Sequence, residues 1–170
     1  MESTEDTQQH ARRPGHERGR KDAESSPHAV SARDVDEAAQ RLSHVARLTA
    51  VDEIDRLTEA AGVRVLVKRE DQQVVRSFKL RGAYNRMAQL SESERQAGVV
   101  CASAGNHAQG VAMACAQLGI HGTIFLPSST PRQKRRRIAT IGGPWITMQF
   151  VDGTFDETQA VALAAAERSW

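Results

Sequence analysis

Only two cysteines, Cys101 and Cys115, occur in the 170 residues. Both lie in apolar segments without CxxC spacing. That argues against a disulfide framework or a cysteine metal site, and for buried thiols in a reducing compartment, the cytoplasm. No apolar run approaches the ~20 residues of a membrane-spanning helix. An excess of one charge is missing too: 23 basic side chains face 21 acidic ones, for a formal net charge of +2. The total therefore implies no broad polyanion-binding surface. One dense basic run exists, Arg132, Lys134, Arg135, Arg136 and Arg137. It has no interleaved aromatics or glycines and follows Pro131 at a predicted helix start, so it reads as a solvated helix face rather than a nucleic-acid site. The length admits one ordinary domain or a piece of something larger.

Large apolar side chains are scarce in residues 1–33, which carry six acidic and six basic residues, three histidines, Pro14 and Pro27. Such a stretch cannot bury enough surface to offset its conformational entropy and is expected to be a disordered tail. Glu2, Glu5, Asp6, Glu17, Asp22 and Glu24 disagree with a transit peptide, and a secretory signal would need an apolar core. His10, His16 and His28 have no ligand-like spacing, so no metal is expected there.

From Asp34 the pattern turns helical, with Val35, Ala38, Ala39 and Leu42 at three- and four-residue spacing. A second helix is expected over about Ile54–Ala60, stopping at Gly62. Val63 to Arg69 alternates and is rich in β-branched residues, which predicts a strand. After Ser77 the spacing of Leu80, Ala83, Tyr84, Met87 and Leu90 predicts a helix with a core-facing stripe, and Ser91 with Glu94 forms a capping box. Beyond Gly98, short apolar strands near 98–102, 122–126 and 145–151 alternate with helices near 106–118, 131–141 and 156–169. Right-handed crossovers then make an α/β domain, a parallel sheet with helices on both faces. Gly142 and Gly143 read as a turn before Pro144. The last helix ends at Trp170 without a glycine stop or a closing strand, so residues 34–170 are expected to be the N-terminal part of a truncated domain.

Two segments carry chemistry. In SFKLRGAYN, Lys79 stands at a predicted helix start near Lys68, Arg69, Arg76 and Arg81. Nearby positive charge and a helix N-terminus both disfavour an ammonium ion, which marks Lys79 as a candidate nucleophilic amine. In SAGNHAQG, Ser103 to Gly110, a glycine turn opens a helix and offers unpaired N–H groups to an anion. That turn directly follows a strand, the edge at which parallel sheets bind ligands. An amine beside a carboxylate cradle suits Schiff-base chemistry on amino acids.

VKREDQQ, SFKLRGAYN, CASAGNHAQG and LPSSTPRQK together resemble the N-terminal part of biosynthetic threonine dehydratases. These belong to the fold-type II (tryptophan synthase β-like) pyridoxal-phosphate enzymes, with serine dehydratase, serine racemase and threonine synthase. The resemblance runs from about Val63 to Trp170. It implies that Lys79 holds pyridoxal 5'-phosphate as a Schiff base and later removes the substrate Cα proton, that Phe78 packs on the pyridine ring, and that Asn106 bonds its phenolic oxygen. Ser103, Ala104, Gly105, Asn106 and His107 would receive the carboxylate of a small amino-acid substrate, and His107 has a purely structural alternative in the turn. The implied reaction converts L-threonine, or L-serine, to a 2-oxo acid and ammonia; 2-oxobutanoate from threonine enters isoleucine synthesis. The complete enzyme would be a homo-oligomer without nucleic-acid, membrane or metal partners. Two features depart from the family: its glycine-rich phosphate loop lies beyond the equivalent of Trp170, and RLTAVDEID lacks the usual threonine-proline-leucine pattern. The alternatives are an inactive truncated fragment of such an enzyme, or another member such as serine dehydratase or racemase.

Overall fold

The computed structural model describes residues 29–169. Residues 1–28 of the tail predicted over 1–33, with His10, His16 and His28, lie outside the described residues, as does Trp170, while Ala32 and Arg33 at its end belong to a helix. The compact unit begins at Ala32, where helix α1 (Ala32–Leu42) starts two residues before the expected Asp34. Strand β1 (Val51–Glu53) follows, then α2 (Asp55–Ala61), which ends as expected at Gly62 with φ 66°, a left-handed cap that glycine adopts without a steric penalty. Strand β2 is only Leu66–Lys68, shorter than the alternating pattern over 63–69. It pairs antiparallel with β1, Val51 opposite Lys68, and a three-residue partner can pair no more of it.

A 3-10 turn at Glu70–Gln72 leads towards α3 (Lys79–Met87), whose Leu80, Ala83 and Met87 are buried as their spacing requires. Helix α4 (Glu92–Ala97) begins with the anticipated capping box between Ser91 and Glu94. The predicted rhythm is then observed: β3 (Val99–Ala102), α5 (Asn106–Leu118), β4 (Gly122–Pro127), α6 (Arg132–Gly142), β5 (Ile146–Val151) and α7 (Phe155–Ser169). A 3-10 turn at Gly143–Trp145 joins α6 to β5.

The three strands form a parallel sheet in the order β3-β4-β5. Alternation along β4 sends Ile124 and Leu126 into a core shared with Ala108 and Ala112 of α5 and Ile138 of α6. Val100 and Ala102 of β3 face the cavity beneath α7, on the other side. A second core joins α3 to α5 through Ala83, Met87, Val111, Ala114 and Cys115, with Cys101 of β3. Both thiols are buried and unpaired. Burial pushes Cys101 up to about 11 and Cys115 up to about 12. Among the described residues no helix is long and apolar enough to cross a membrane. The basic run lies on α6, where Arg132, Lys134 and Arg136 are exposed and Arg135 stacks 5.1 Å from the centre of the Phe150 ring.

Candidate active site

The segment that delivers Lys79 is held by side chains rather than by regular structure. Gln73, 2% exposed, accepts a hydrogen bond from the Arg47 N–H at 2.9 Å and donates to the Arg47 carbonyl at 2.8 Å. Three residues later Arg76 takes φ 55°, a left-handed conformation unusual for a side-chain-bearing residue. Ser77 is buried, and its Oγ accepts a long 3.4 Å bond from the Lys79 N–H. The chain turns into α3 at Phe78, which offers no side-chain cap. Phe78 is 58% exposed, and its ring centre lies 5.2 Å from Lys79 Nζ.

The cations expected to crowd Lys79 are mostly committed elsewhere, which corrects the electrostatic reading of the sequence. Arg81 forms a two-pronged pair with Glu70, with N···O distances of 2.8 and 2.9 Å. Arg69 binds Asp52 at 2.8 Å and Asp71 at 2.9 Å. Lys68 Nζ donates to the Thr49 carbonyl. Of the four, Arg76 alone lacks such a partner among the described residues. Sequence proximity counts charges but not the carboxylates that fold against them.

At the carboxyl end of β3 the turn Ser103–Gly105 opens α5. Ser103 Oγ accepts bonds from the Gly105 and Ala108 N–H groups, each at 3.3 Å, and so caps a helix whose N-cap residue is a glycine. The Ser103 N–H is itself donated to the Phe125 carbonyl at 3.2 Å. The five-residue cradle read from the sequence therefore has two of its backbone donors, those of Ser103 and Gly105, already occupied. The N–H groups of Ala104, Asn106 and His107 have no partner among the described residues. They point the same partial positive charge that the open N–H groups at a helix start present to an anion.

Gly110 brings the two segments together. A Cβ at this position would stand 3.0 Å from both the carbonyl carbon and oxygen of Lys79 and 3.1 Å from Leu80 N, so α5 touches the backbone of the first turn of α3. A glycine inside a helical pattern is a signal of such close approach, although sequence alone names no partner for it. Closeness is felt electrostatically as well: partial loss of solvent around the imidazole first, and then the charge of Lys79, hold His107 below its usual range. His107 therefore stays neutral near pH 7. Beside it a cavity of about 440 Å³ opens between β3 and α7, lined by Ala102, Phe155, Gln159 and Leu163 among others. Phe78, Lys79, Asn106 and His107 are all exposed, and the Gly110 contact sets the turn that carries Lys79 against the helix that begins at Asn106. Sequence reasoning missed Gly110, Glu70 and Gln73, and for the last two no local signal exists.

The family model described as "Pyridoxal-phosphate dependent enzyme" matches residues 42–170. A biosynthetic L-threonine dehydratase, IlvA, from Mycobacterium bovis is 50% identical over 146 residues, covering 85% of this chain and 34% of the relative. The Bacillus subtilis protein of the same name is 47% identical over 138 residues, 81% of this chain and 33% of the relative. The chain thus spans about a third of the length of the curated relatives it matches. Among solved structures, the processed form of threonine deaminase isoform 2 from Solanum lycopersicum aligns with TM-score 0.67 and 41% identity, over 80% of this chain and 39% of that one. Maize serine racemase aligns with TM-score 0.70 and 28% identity, over 79% and 40%.

Proposed function

This chain belongs to the pyridoxal-phosphate dependent enzymes, and we propose that it is the part of a threonine dehydratase that carries the reactive lysine and the carboxylate-binding turn. The reaction would be conversion of L-threonine to 2-oxobutanoate and ammonia, the entry to isoleucine synthesis, with L-serine as an alternative substrate that gives the three-carbon 2-oxo acid. The observation that carries this reading is the contact at Gly110, which sets the first turn of α3 with Lys79 against the helix opened by the Ser103–Gly105 turn. Identity to biosynthetic threonine dehydratases, higher than to serine racemase, supports threonine as the substrate. We also infer a homo-oligomer in the cytoplasm; the buried, unpaired Cys101 and Cys115 fit a reducing compartment.

The residues present fit the cofactor on the side they supply. Lys79 offers the primary amine that would hold it, the exposed Phe78 ring an apolar face for its ring, and the Asn106 side chain a donor for its phenolic oxygen. When bound, the cofactor supplies a conjugated system that accepts the charge developing at the substrate Cα. The start of α5 receives the substrate carboxylate through the N–H groups of Ala104, Asn106 and His107, with Ser103 Oγ keeping the turn in shape. Lys79 Nζ takes the Cα proton and returns it to the β-hydroxyl, which leaves as water; a water molecule then hydrolyses the remaining C=N bond to give the 2-oxo acid and ammonia. One amine can serve as both anchor and base because its release leaves it free beside Cα.

The test uses the complete polypeptide that carries this chain. Lys79→Ala is expected to lower 2-oxobutanoate formation at least about a thousandfold with the fold intact. Lys79→Arg fails similarly, because guanidinium stays protonated and forms no imine. Sustained threonine turnover in either variant refutes the assignment, and a parent enzyme that acts on serine alone replaces the substrate.

A further inference from the structure

We propose that Glu70 is a positioning residue for this reaction, holding the first turn of α3 through Arg81 and thereby aiming the Lys79 amine at the start of α5. The proposal rests on the role given above to Lys79. Its ground is geometric. Arg81 stands two residues after Lys79, within the same turn, and its N–H donates to the Phe78 carbonyl at 2.9 Å. Its guanidinium meets both oxygens of Glu70, Nε to Oε2 at 2.8 Å and Nη2 to Oε1 at 2.9 Å. The Glu70 side chain is only 15% exposed. It also accepts from Thr49 Oγ1 at 2.8 Å and more weakly from Gln73 Nε2 at 3.3 and 3.4 Å. Arg81 Nη2 reaches on to the Arg47 carbonyl at 3.3 Å. One carboxylate thus ties together residues 47–49, 70–73 and 81, far apart in sequence.

The start of α3 needs such a tie. No side chain caps it at Phe78, and the Ser77 bond to the Lys79 N–H is long. Ahead of it Arg76 is held at φ 55°, a conformation a free loop would leave. On the α5 side the turn is held by packing, through the Gly110 contact and the burial of Leu80 with Val75 and Met113, and packing is non-directional. A two-pronged ion pair fixes orientation as well as distance. Glu70 has no contact with Lys79 Nζ, so it acts through Arg81.

In the complete polypeptide, Glu70→Gln and Arg81→Lys are prepared singly and together. Pyridoxal phosphate is added, borohydride fixes it at timed intervals to whichever lysine it has reached, and peptide mass mapping locates it. Amide hydrogen exchange is followed over α3 and over β4. The parent is expected to be labelled at Lys79. Each single variant should label Lys79 at least about tenfold more slowly, with faster exchange in the first turn of α3 and unchanged exchange in β4. The double variant should be no slower than the slower single one, because both act through one pair. Parental labelling of Lys79 in Glu70→Gln overturns the positioning role while leaving Lys79 as the attachment site. A parent not labelled at Lys79 overturns both. If Glu70→Gln does not fold, Arg81→Lys decides the case, since it keeps the charge and loses the two-pronged fit.

Discussion

Arg76 is the one described non-glycine residue with positive φ, 55°, and it directly precedes Ser77, Phe78 and Lys79. Left-handed backbone costs a side-chain-bearing residue about 1–2 kcal/mol. Glycine relieves that strain but gains freedom in the unfolded chain. Arg76→Gly should therefore stabilise the protein by about 0.5–1 kcal/mol net, read as a higher denaturant midpoint with an unchanged slope. Glu70 makes a second prediction at this scale. Hydrogen bonds from Arg81 hold its carboxyl down at about 2, against an ordinary value of 4.5. A depressed carboxylate stabilises the fold fully above its unfolded value, and that contribution is lost as pH falls through the folded value. Melting temperature should drop between about pH 4.5 and pH 2, and Glu70→Gln should remove part of that drop. A variant with the parental pH profile would show that the pair is not coupled to folding.

Between elements, α5 meets the backbone of α3 at Gly110. Alanine would favour the helix by about 1 kcal/mol, yet its Cβ would press on the Lys79 carbonyl from 3.0 Å. Backbone cannot yield as a flexible side chain can, so the two helices must separate by a few tenths of an ångström. Gly110→Ala should destabilise the protein by about 1–3 kcal/mol, measurable as a lower denaturant midpoint; a gain in stability would show that the helices part freely. Elements of this kind were well read from the sequence where the signal is local. The Ser91–Glu94 capping box, the Gly62 stop and the Leu80, Ala83, Met87 stripe each depend on residues a few positions apart. The extent of β2 depends instead on how much of Val51–Glu53 pairs with it.

Across the whole molecule, the two thiols report the integrity of the joint core. Cys101 is 7% exposed and Cys115 fully buried, on β3 and α5, and burial raises both well above the range in which thiolates form readily. Neither should react with a thiol reagent at about pH 8 except as the domain opens, and both should react at once in denaturant. Immediate reaction of two thiols in the native protein would contradict the packing of α5 on β3.

The sequence by itself determined the order of strands and helices from α2 onward, though not the short strand β1 before it, the placing of Lys79 at the start of one helix, and the placing of the Ser103–His107 turn at a strand end. Those features follow from hydrophobic periods, caps and glycine stops, which act over a few residues. Only the tertiary structure decided that Arg69 and Arg81 belong to Asp52, Asp71 and Glu70 rather than to Lys79. It also decided which N–H groups of the turn stay free, and that Gly110 presses α5 onto the turn carrying the amine. Each of these depends on groups that only folding brings within bonding distance, in several cases from more than ten residues away, and no local pattern encodes which partner will arrive.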